Sequence, residues 1–381
     1  AGVNDTSPKS KGITNYTPSD YRKSISEKAV SEIISLQDGK LWIGTEDGGI
    51  NILDKESNQF SFLNSSDGLS SNNIHSMHED NLGNIWIGTF LGGINKYEKK
   101  TGKISVYKYS SSDSNSISNN YVYSILQDHS GRLWIGTQNG LNLYNHKSKD
   151  FDLFMPEVLG DKFIYDILED SDNNLWFCTR NSGIFKLENN SGKIVQPGLE
   201  LFSNRNLQKQ IVSAYEDKNG DIWFGSLNEG VLIYDKANEE LLPFHLNNEL
   251  PNSNVYGIIE DNNGHKWMST NQGLSIYNPE TEKLNHLNVE DGLTTNQFNF
   301  KSFYKDENGL LYFGSVNGLN IINPELFNTI PPAPPLYFTG LKLFNKEVSI
   351  DKDNLLKRHI NYVDKIELKH NQDVFSIDYG S

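Results

Sequence analysis

Three kinds of residue in this sequence could carry chemistry: histidines, a cysteine and a recurrent Asp-x-x-Gly. The nine histidines are scattered, and none forms the i, i+4 pair with an intervening Glu that holds zinc on a helix. His75 and His78 sit at odd spacing on one strand-like segment, so they point to opposite faces and share no metal. Cys178 is the single cysteine, which excludes an internal disulfide and a cysteine metal cluster. No histidine lies near it in the sequence and only Arg180 could lower its pKa, so it reads as a packing residue. DSDNN (170–174) superficially resembles calcium-loop spacing. Asp-x-x-Gly, however, returns at Asp80 to Gly83, Asp128 to Gly131, Asp217 to Gly220, Asp261 to Gly264 and Asp306 to Gly309. Such recurrence describes a structural turn, in which Asp caps and Gly supplies a positive φ. A nucleophile elbow and a phosphate-binding glycine loop are both missing. The sequence therefore predicts no catalytic residue, no metal and no cofactor.

The residues that could bind something are of another type. Arginine occurs only five times, and Arg180 and Arg205 both fall in variable connecting segments. Phe90, expected to be exposed, and Asn181, Asn228 and Gln272 occupy turns equivalent to the one holding Arg180. An aromatic face for stacking, amides and a guanidinium fork suit a polar, hydroxyl-rich ligand.

The elements that must position these residues are repeats. LWIGTEDGGI around Trp42 returns at Trp86, Trp134, Trp176, Trp223 and Trp267, and LYFGSVNGL carries Tyr312 in the same place. The spacings are 44, 48, 42, 47, 44 and 45 residues, and all six tryptophans occupy this one position. A period of this length with four short strands per unit predicts a β-propeller. Each unit reads as an apolar inner strand, the Asp-x-x-Gly turn, the Trp strand, a Gly-marked turn, a third strand and an outer strand. In the first unit the turn is expected to shorten to Asp38-Gly39, and in the fourth Asn173 replaces the Gly. The seventh unit lacks an outer strand. GITNYTP (12–18) has the pattern to supply it, beside residues 318–323. The fold class expected is all-β: a single seven-bladed propeller over 12–330, a proline-rich linker over 331–335, and the first strands of a truncated β-sandwich over 336–381. The alternating segments YFTGLKLF, KEVSI, KIELK and DVFSIDY carry that last expectation.

A net charge of −15 argues against nucleic acid or an anionic membrane surface as a general partner. No run of about 18 apolar residues is present to span a bilayer. The N-terminal residues read as an outer strand entering mid-protein, and the C-terminal ones stop within an alternating pattern, so the sequence is expected to be part of a longer protein.

The Trp-centred repeat resembles the two-component-regulator propeller repeat over residues 12–327, and the tail from Pro334 resembles the start of the Y_Y_Y β-sandwich that follows such propellers. This resemblance implies the extracytoplasmic sensor region of a hybrid two-component histidine kinase. It further implies a periplasmic or extracellular location, a small glycan from polysaccharide breakdown as ligand, a homodimer in the full receptor, and membrane attachment only through other parts of the chain. It implies no enzymatic activity in this segment. The alternatives are a propeller scaffold for protein–protein interaction and a propeller lyase or hydrolase, the latter needing clustered catalytic groups that the sequence does not display.

Overall fold

A computed structural model describes residues 12–18, 24–198, 210–327, 337–351, 355–363 and 365–380. The chain divides into two units, Ala1–Phe327 and Asn328–Ser381.

The first unit contains seven blade-like, four-stranded antiparallel sheets, the architecture of a β-propeller. Blade two shows the plan: inner strand Ile74–Glu79, Trp strand Asn84–Thr89, third strand Gly93–Glu98 and outer strand Lys103–Tyr107. Inner strands neighbour one another in chain order, and that of blade seven, Phe298–Lys305, touches those of blades six and one. Strand Ile13–Tyr16 lies on the outer side of blade seven, with Ile13 opposite Ile322 and Tyr16 opposite Leu319.

The Trp strands form the packing layer. Trp134 is fully buried in a core cluster that it shares with Ile164, Ile167 and Phe177 of the following blade. Burying one such ring removes roughly 150–250 Å² from water, worth roughly 4–6 kcal/mol. The small residue near the end of the strand is required by the neighbour, since a Cβ on Gly136 would lie 2.8 Å from Ile164 Cγ2.

The Asp of the turn has a second role. Besides accepting turn amides, Asp80 Oδ2 accepts from Trp86 Nε1 at 2.8 Å, and Asp128, Asp170, Asp217 and Asp261 do the same for Trp134, Trp176, Trp223 and Trp267. In blade seven the Tyr312 hydroxyl bonds Asp306 at 2.9 Å. Asp170 is thus consumed by Asn174, Trp176 and turn amides rather than by a cation. The turn of blade one is not shortened as the sequence suggested. Leu36 stands at the Asp place and pairs its N–H with the Lys40 carbonyl, as Asp80 does with Asn84, so the turn runs Leu36 to Gly39. Asn173 adopts the expected left-handed backbone, φ 64°.

Adjacent blades are tied by one more repeated bond. The last residue of an inner strand accepts from the first turn amide of the preceding blade: Glu79 from Gln37, Gln127 from Asn81, Glu169 from His129 and Glu216 from Ser171, at 2.7–2.8 Å.

In the second unit a β-sandwich is expected, whereas the described residues form one three-stranded sheet, with Tyr337–Leu343 between Lys346–Glu347 and Phe375–Gly380. KIELK (365–369) forms no strand. Its Ile366 packs on the small core of Leu341, Leu356 and Ile360, while Lys365 and Glu367 pair with each other in solvent. The expected linker 331–335 lies outside the described residues.

Candidate functional site

The inner strands of blades one to six each carry a one-residue bulge near their start. The ladder jumps from Val30 to Glu32, from Ile74 to Ser76, from Val122 to Ser124 and from Ile164 to Asp166. A bulge releases its extra residue from the alternation and re-aims its side chain. The released residues are Ser31, His75, Tyr123 and Tyr165, and all four line one cavity of about 260 Å³. In blade seven the irregularity is larger, with Phe298 opposite Ser315 and Phe303 opposite Phe313. It carries Asn299, Phe300 and Lys301 into the same cavity.

Lys301 has φ 55°, uncommon for a residue with a side chain. Its Nζ donates to the carbonyls of Tyr123 at 3.1 Å and Tyr165 at 3.2 Å and pairs with Asp166 Oδ1 at 3.0 Å. Blade seven is thereby joined directly to blades three and four. Asn299 Nδ2 adds a bond to the Val30 carbonyl at 2.9 Å.

Aromatic rings form a continuous arc around the cavity. Phe90 stacks on His75 at 5.4 Å and meets Tyr121 edge-on at 4.6 Å. His75 contacts Tyr123, Tyr123 contacts Phe163, and Phe163 contacts Tyr165, at 4.4–4.9 Å. Phe300 continues from Tyr165 to Tyr256. Burial, with the charge of Lys301, pushes the His75 imidazole down to about 4, so it is neutral at neutral pH and offers one donor and one acceptor. Burial also pushes the Tyr123 hydroxyl up to about 12, so it stays protonated. Glu32, beside the bulge of blade one, is raised to about 8 by burial against the pull of Lys301. Glu46 at the cavity edge is raised by burial and by Asp47 and Glu27.

The expected binding residues divide. Arg180 lines the cavity, its guanidinium 5.7 Å from the centre of the Phe163 ring. Asn181 follows it, exposed and at φ 66°. Phe90 belongs to the arc, but it is half-buried between His75 and Tyr121 rather than exposed, because the bulge of blade two turns the His75 ring onto one side of it while Tyr121 of blade three meets it edge-on. Asn228 and Gln272 sit exposed at the equivalent turns of blades five and six and do not line the cavity. Arg205 lies outside the described residues. The bulge residues were missed, although a signal existed: His75, Tyr123, Tyr165 and Tyr256 put an aromatic ring at one repeat position between an apolar and a small or acidic residue.

Among the described residues no group of three or more His, Cys, Asp or Glu could hold a metal ion, and no helix is long and apolar enough to cross a membrane. Cys178 is buried, and burial pushes its thiol up, as suits a packing residue.

The two-component regulator propeller repeat matches residues 68–90, 116–139, 158–181 and 207–228, so these four segments of the chain are similar to that repeat. A histidine kinase of Formosa agariphila, Histidine kinase P4, is 27 % identical over 171 residues, covering 45 % of this chain and 12 % of that protein. The extracellular domain of a hybrid two-component system from B. thetaiotaomicron superposes with a TM-score of 0.77 at 26 % identity, covering 97 % of this chain and 48 % of that one. The chain thus spans about half the length of that solved relative and a small part of the kinase. Virginiamycin B lyase from Staphylococcus aureus, at 14 % identity and a TM-score of 0.63, covers 82 % of this chain and 98 % of the lyase and shares the fold alone. The solved structures similar to this chain thus include extracellular domains of hybrid two-component systems.

Proposed function

We propose that this chain is the ligand-sensing portion of a hybrid two-component receptor, working outside the cytoplasm, and that it binds an oligosaccharide without turning it over. The aromatic arc closed by the Arg180 guanidinium carries this reading: flat rings stack on the apolar faces of sugars, while His75, Asn299 and Arg180 supply hydrogen bonds to hydroxyls. In this reading the seven sheets form one ring completed by strand Ile13–Tyr16, and the second unit is the beginning of the Y_Y_Y sandwich that passes the signal on. Binding signals only if the ligand favours one arrangement of the receptor over another. A homodimeric receptor supplies two such arrangements.

Calorimetric titration with an oligosaccharide panel tests the reading, with Arg180→Ala expected to weaken binding more than tenfold and stability to change by less than about 1 kcal/mol. Wild-type affinity in that variant moves the site elsewhere. A reproducible protein partner with no glycan heat replaces the sensor by an interaction scaffold.

A further inference from the structure

We infer that the cavity takes a terminal sugar ring bearing a carboxylate, and that the Arg180 guanidinium holds this carboxylate. The inference rests on the glycan reading above and narrows it. Among the described residues two cationic side chains reach the cavity, and they are in different states. The Lys301 ammonium has three acceptors, the Tyr123 and Tyr165 carbonyls and Asp166. Its charge is matched and its protons are used. Arg180 is exposed, lies over Phe163, and makes no ion pair with any described residue.

A guanidinium fork with free donors at the edge of an aromatic wall is complementary to a planar carboxylate, which fills two parallel bonds at once. A hydroxyl would fill one and leave the charge unmatched. Elsewhere the protein works against anions, since its net charge of −15 repels them over the surface. An acidic ligand therefore gains here what it gains at few other places. Glu46 at the cavity edge excludes the carboxylate from its own side and so sets the orientation, acid toward blade four and hydroxyls toward blade one. At about 260 Å³ the cavity falls just below the range of about 300–1,000 Å³ typical of drug-sized sites, which suits the end of a chain rather than its middle.

The test titrates the 381-residue chain with short hexuronic-acid oligosaccharides and with the same compounds after reduction of their carboxyl groups. The acid forms are expected to bind at least tenfold more tightly, with a preference that weakens as salt is added. Arg180→Gln should abolish the preference, Arg180→Lys should keep part of it, and neither should move the melting temperature, because the side chain is exposed. Equal affinity for the acid and reduced forms, or a preference that survives in Arg180→Gln, overturns the carboxylate inference and leaves the glycan reading standing. Binding of neither form overturns the carboxylate inference, and the oligosaccharide panel then decides the glycan reading by itself.

Discussion

Asp80 illustrates how one side chain serves two ends of a structure. Burial works to raise its carboxyl, but the bonds from Asn84, Trp86 and Leu82 outweigh it and hold the group below the usual carboxylate range. A depressed folded value means that the stability it contributes is full above about pH 4 and shrinks as pH falls through that value. Asp80→Asn is therefore expected to cost about 2 kcal/mol at pH 7, with the gap to wild type narrowing in acid. Urea unfolding at pH 7 and pH 3 measures it, and a gap of equal size at both values contradicts the account. From sequence the turn-capping role of this residue was legible, because Gly83 follows at the spacing a turn demands. The bond to Trp86 was not, since nothing local says that an indole six residues on bends back to the same carboxylate. Phe90 was misjudged for a related reason: its exposure depends on His75 and Tyr121, which reach it only after the chain has folded.

At the scale of the element, the four-strand plan was readable from the Trp period and the alternation within each unit. Bulges were not, because one extra residue disturbs the apolar pattern too little to be seen in any single strand. Yet the bulges position the candidate site, and blade seven's larger irregularity places Lys301 beneath it. The ties between blades are also an element-level device. Glu216 Oε2 accepts the Ser171 amide at 2.8 Å, and its Oε1 accepts the Ser171 hydroxyl. Glu216→Ala leaves that amide without its partner and is expected to cost about 1–2 kcal/mol. Glu216→Gln should recover most of this, because blade three uses Gln127 at the same place. Thermal unfolding of the two variants decides the matter: equal losses would mean that the carboxylate charge, not the bond to the turn, is what holds blades four and five together.

For the molecule as a whole, the order of repeats made the propeller legible, whereas one segment of the second unit was over-read. Alternation in KIELK looked like a strand, but Ile366 joins Val348, Leu355 and Val363 in covering the small core of Leu341, Leu356 and Ile360, and among the described residues no strand pairs the segment. The strand Ile13–Tyr16 has a consequence of a mechanical kind. Gly12 and Asn323 lie at the same end of the ladder, joined by the Asn323 N–H to the Gly12 carbonyl at 2.9 Å, and Ile13 faces Ile322 just beyond. Tension applied between these two points loads the antiparallel ladder from one end, so its bonds give way in succession like a zip. Tension between residues 12 and 318 loads the same ladder lengthwise and must break its bonds together. With handles at 12 and 323, optical-tweezer extension should therefore open blade seven at a distinctly lower force than with handles at 12 and 318. A protein built this way resists stretching along the strand while remaining easy to peel at one seam.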